Sequence, residues 1–131
     1  MHRRNINYPG LDHVFSAYLH QDWNYKFNSI VKVVGDVLEE IQLSGVTKEQ
    51  LEMFSWVTLP QLHTEIYDIV KRKTVDEQFD IFDKFEVSGP NIPYKHNVEC
   101  FFITVLYLTE TEMRKRGLEI PENPPLHTAT A

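Results

Sequence analysis

Apolar residues in this chain recur at helical spacing, in separate runs broken by polar stretches. Leu11, Val14, Phe15, Tyr18 and Leu19 fall at i, i+3, i+4, i+7 and i+8, which is one face of a helix. The pattern predicts a helix from about Pro9 to about His20, with Pro9 in the first turn, where a missing N–H costs nothing. From Gln21 to Asn28 the period is lost and the segment reads as a loop. Ile30, Val33, Val34, Val37, Leu38 and Ile41 restore the spacing more strongly. Asn28 or Ser29 is placed to cap the start of this helix, and Gly45 to close it in a left-handed conformation. Its β-branched residues suit a strand as well, but the spacing and the Asp36, Glu39, Glu40 face decide for helix, with Gly35 a weak point.

Thr47-Lys48-Glu49-Gln50 is a capping box. It predicts a third helix carrying Leu51, Phe54 and Val57, ended or kinked at Pro60. Leu62, Ile66, Ile69 and Val70 mark a fourth, finishing in Lys71, Arg72 and Lys73, where cations complement the helix dipole. Thr74-Val75-Asp76-Glu77 is a second capping box. Behind it Phe79, Phe82 and Phe85 supply apolar contacts, while Asp76, Asp80 and Asp83 line an acidic side. Ser88-Gly89-Pro90-Asn91-Ile92-Pro93 is a loop. A long helix follows, from about Tyr94 to Arg116. Its stripe is Val98, Phe101, Phe102, Val105 and Leu106 or Leu108, and Gly117 stands at the position after its end. The three prolines beyond residue 120 predict a flexible tail. The expectation is an all-α, compact, single-domain bundle of about six helices over residues 1–120, with a flexible Pro-rich tail over 121–131.

Composition narrows the ligand classes. The 131 residues are 42% hydrophobic, enough for one domain with a real core. Nineteen carboxylates against thirteen Lys and Arg give a net charge of -6. That charge argues against direct nucleic-acid binding, which needs clustered cations, and suits a basic protein partner. Cys100 is the only cysteine, so no internal disulfide forms. No apolar run reaches the length of a membrane span, and no apolar segment follows the charged N-terminus as in a signal peptide. The simplest compartment is the cytosol.

Candidate chemistry is sparse. His13 and His20 lie seven apart, about 10 Å along a helix axis, too far for one tetrahedral ion even with Asp22 nearby. No H-E-x-x-H or C-x-x-C supports a metal, so no metal and no cofactor are expected. A His20–Asp22 acid–base pair lacks a nucleophile or oxyanion site. Cys100, between Glu99 and the Phe101-Phe102 pair, is expected to be a buried inert thiol. No G-x-S-x-G, P-loop or G-x-G-x-x-G occurs, and no catalytic residue is assigned. Trp23 is expected to fold over Tyr18 and Leu19, with His20 and Asp22 satisfying the groups freed at the helix end. The cationic clusters Lys71-Arg72-Lys73 and Arg114-Lys115-Arg116 fall at helix C-termini, where the dipole accounts for them.

The run Tyr8-Pro9-Gly10-Leu11, followed by Phe15-Ser16-Ala17-Tyr18-Leu19-His20-Gln21-Asp22-Trp23, resembles the opening of one group of immunity proteins. These belong to bacterial contact-dependent growth inhibition systems (CdiI type), and they are small cytosolic helical proteins. The likeness covers about the first fifth of the chain. It implies a partner, the toxic C-terminal domain of a cognate secreted effector, and inhibition by stoichiometric binding without catalysis. Many such toxins are nucleases with basic clefts. Partners differ from pair to pair, so Tyr18, His20, Gln21, Asp22 and Trp23 are assigned to the shared fold and not to the inhibitory surface. The densest run of carboxylates, Asp76, Glu77, Asp80, Asp83 and Glu86, is the expected toxin-binding surface. The competing reading of that run is a plain solvated helix face, and the competing function is a small helical adaptor with no toxin partner.

Overall fold

The computed structural model describes residues 7–16, 27–41, 57–85 and 94–127. Among these residues there are five helices: α1 (Pro9–Ser16), α2 (Phe27–Glu40), α3 (Leu59–Arg72), α4 (Val75–Asp83) and α5 (Lys95–Lys115). The all-α expectation holds. The predicted helix from Thr47, with its capping box, and Gly45 lie outside the described residues.

The long helix α5 organises the bundle, packing against α2, α3 and α4, while α1 lies on α3 and α2. The stripes read from spacing are buried in the described helices, except that Val70 of α3 is only partly buried. Ile30, Val33, Val34, Val37, Leu38 and Ile41 line α2, Leu62, Ile66 and Ile69 line α3, and Val98, Phe101, Phe102, Val105 and Leu106 line α5. Of the two alternatives on α5, Leu106 is buried and Leu108 packs at the margin. An aromatic cluster joins the first helix to the last two. The Phe15 ring lies 4.3 Å from Phe85, 5.2 Å from Phe101 and 5.4 Å from Phe82. Rings at these separations add to the area they bury.

The helix ends are closed in two ways. Three closures are local. Thr58 accepts from the Gln61 N–H with Pro60 in the first turn of α3, so Pro60 opens a helix here. Thr74 and Glu77 form the complete reciprocal box at α4. Gly117, at φ 74°, ends α5: its N–H donates to Arg114 O at 3.0 Å and the Leu118 N–H to Met113 O at 2.8 Å, the paired bonds of a Schellman motif. Three other closures come from side chains outside the helix they close. Glu65 of α3 accepts from the Gly10 and Leu11 N–H groups of α1. Arg116 donates to the carbonyls of Leu38, Glu39 and Ile41 at the end of α2. Gln78 Nε2 donates to Ile69 O and Lys73 O at the end of α3.

Within the described residues α2 runs to Glu40, and the Arg116 fork takes carbonyls at that end. Over residues 121–127 the Pro-rich segment read as a flexible tail lies against the bundle as a strap. The Tyr67 hydroxyl donates to Glu122 O at 3.3 Å, and Arg72 bonds Asn123 Oδ1 and Pro124 O. Pro124 is buried, and His127 Nε2 lies 2.6 Å from Asn7 O with its ring 4.9 Å from that of Tyr8. Arg72 therefore does more than complement a dipole: it holds the strap while pairing with Asp68 at 3.1 Å.

Candidate binding surface

The α4 helix owes its orientation to its two faces. Gln78, Ile81 and Phe82 turn inward, which leaves Asp76, Glu77, Asp80 and Asp83 exposed. Asp76, Asp80 and Asp83 stand at i, i+4 and i+7, a single row along the helix.

These carboxylates are not equivalent. Glu77 is committed to the cap: its Oε1 accepts from the Thr74 N–H at 2.9 Å. Bonds with the Thr74 backbone and side chain hold its carboxyl below the ordinary range. Asp76 meets Lys95 Nζ, from the first turn of α5, at 2.6 Å. That bond, with Asp80 adding its field, raises the Lys95 ammonium. Both partners are well exposed, so the pair contributes little to stability. Asp80 and Asp83 remain as the outward charges of the row, with the exposed Lys84 beside them. Tyr94, the residue before α5, is 75% exposed and stacks on His96 at 6.1 Å. The edge between α4 and the start of α5 thus carries carboxylates together with an exposed aromatic ring. Glu86 lies outside the described residues.

Tyr18, His20, Gln21, Asp22 and Trp23 lie outside the described residues, so the geometry reaches neither the motif nor the His20–Asp22 pair. His13 is half-buried on α1. Cys100 is exposed, which corrects the expected buried thiol. Val98, Phe101, Phe102 and Val105 take the inner face of α5, and position 100 turns outward with Ile103 (48% exposed) and Tyr107 (65% exposed). Among the described residues no three His, Cys, Asp or Glu side chains gather where they would hold a metal ion. No helix among them is long and apolar enough to cross a membrane.

Sequence reasoning missed the polar contacts inside the bundle. His63, 1% exposed, meets Glu110 Oε2 at 2.8 Å across α3 and α5, and the other oxygen of Glu110 lies 3.7 Å from Arg114. Glu65 and Asp68 are buried on α3. The one sequence signal was their position beside apolar stripe residues, Glu65 next to Ile66 and Asp68 next to Ile69, where a solvated charge does not belong. No protein-family model, curated protein or solved structure matches this chain.

Proposed function

We propose that this protein works by binding another protein and carries out no reaction of its own. In this reading it is an immunity protein for a contact-dependent growth inhibition system, acting in the cytosol on the toxic C-terminal domain of a cognate effector. Two independent lines support it: the resemblance over residues 8–23, and the net charge of -6, part of it displayed in the α4 row. The single carrying observation is that row, with Asp80 and Asp83 presented to solvent and an exposed Tyr94 next in the chain to Lys95, the partner of Asp76. A basic cleft, such as a nuclease uses for its substrate, is the complementary surface. Charge steers the encounter, and an aromatic anchor desolvated at the centre of the contact supplies affinity.

The test is co-purification with the C-terminal domain of a secreted effector encoded beside this chain, followed by binding measurements. The double reversal Asp80→Lys with Asp83→Lys is expected to slow association about tenfold at low ionic strength and to flatten its salt dependence. Wild-type affinity in that variant removes this surface from the interface. Failure of every neighbouring effector domain to bind removes the immunity reading.

A further inference from the structure

Where α1 meets α3, a carboxylate is buried under the end of a helix. Glu65 is 0% exposed. Its oxygens accept from the Gly10 N–H at 2.9 Å, the Leu11 N–H at 3.1 Å and Gln61 Nε2 at 3.4 Å. Tyr8, ahead of α1, has no side-chain carboxylate or amide to serve those amides, and Pro9 has no N–H. Glu65 therefore supplies what a local cap residue ordinarily supplies. The approach is close: a Cβ on Gly10 would stand 2.9 Å from Glu65 Oε2 and 3.1 Å from Leu62 Cα.

The ionisable groups around this point are mostly acidic. From α1 comes Asp12, largely buried. Ahead of α1 stands Tyr8, whose phenol is pushed up by burial and then by Asp68 and Glu65. From α3 itself comes Asp68, engaged by Arg72. From the strap, His127 lies against the Tyr8 ring. The facing pair of α5, Glu110 with His63, sits about 200° round α3 from Glu65. Among the described residues no cation bonds Glu65.

We propose that the seating of α1 on α3 is a proton-linked latch, with Glu65 as its titrating group and the Gly10 and Leu11 amides as its catch. An ionised Glu65 is well solvated when α1 is away and stripped of water when α1 is seated, and three N–H donors replace only part of that hydration. Burial accordingly pushes the Glu65 carboxyl up to about 7, against the pull of the bonds from Leu11, Gly10 and Gln61 and with a small push from Asp12. The seated value lies above the ordinary carboxylate value of 4.5. Seating is therefore favoured fully below pH 4.5 and loses that advantage as pH rises to about 7 and beyond. By linkage the seating equilibrium falls on the order of tenfold between pH 6 and pH 8. The latch does not depend on the identity of any binding partner.

Hydrogen exchange at the Gly10 and Leu11 amides, corrected for the intrinsic rate, reads the latch directly. Protection in the wild type is expected to fall about tenfold from pH 6 to pH 8, and in Glu65→Gln to stay level. Constant protection in the wild type, or an equal fall in the variant, overturns the proposal. Should Glu65→Gln fail to fold, a carbon-detected titration of the Glu65 carboxyl in the wild type decides it. A midpoint above about pH 6 supports the latch, and any lower midpoint overturns it.

Discussion

The helices α1 and α4 are held at their starts in opposite ways. Everything that starts α4 lies within four consecutive residues: Thr74 accepts from Glu77, and Glu77 answers to Thr74. At the start of α1 Pro9 offers no N–H, and the Gly10 and Leu11 amides are met by a carboxylate 54 to 55 residues away. The end of α2 is closer to α1 in kind, since its carbonyls wait for Arg116, 75 to 78 residues downstream. A local cap belongs to its helix. A distant one belongs to the fold, and it makes an otherwise marginal helix conditional on tertiary structure.

Substitutions at the caps sharpen this contrast. The largest effect is expected at Arg116→Ala, which removes a guanidinium bonding three carbonyls and Glu112. We expect a loss of about 3 kcal/mol in urea unfolding, with Arg116→Lys falling between, because an ammonium keeps the charge and loses the fork. Gly10→Ala should cost about 2 kcal/mol by overpacking, since the Leu62 backbone facing the new methyl cannot move aside as a side chain does. Thr74→Ala should cost about 1 kcal/mol, with the fraying confined to α4 in an exchange experiment. The same variant carries a pH signature. Glu77 has its carboxyl lowered by Thr74, so its contribution is present above the ordinary carboxylate value and lost as pH falls through the lower folded one. Removing Thr74 should flatten that part of the acid limb. An Arg116→Ala protein as stable as wild type would show that distant closure is incidental.

How much was legible in the sequence follows the same division. The α4 box, Gly117 and the apolar stripes of α2, α3 and α5 were readable, because each is a pattern within a few turns of chain. The roles of Glu65, Arg116 and Gln78 were not. A carboxylate beside Ile66 has no sequence mark that says which helix it will meet, and Arg116 looked like the basic end of its own helix. Cys100 was misplaced because its two phenylalanine neighbours suggested burial, whereas a rotation of about 100° per residue carries position 100 outward. The strap was missed because three prolines argue against helix, and they say nothing against docking on Tyr67 and Arg72. The carboxylate row of α4 was legible as a row, but Lys95, the cation drawn to its first member, belongs to another helix and was not.

The bond from His127 to Asn7, spanning 120 residues, has a consequence for how the protein is made. During synthesis α1 emerges well before the Glu65 carboxyl and the His127 ring that secure it. Contacts of such long sequence separation form slowly. Although translated ahead of its partners, α1 is therefore among the last elements to be fixed in place, and until then its Leu11, Val14 and Phe15 face is open to whatever else the cell offers.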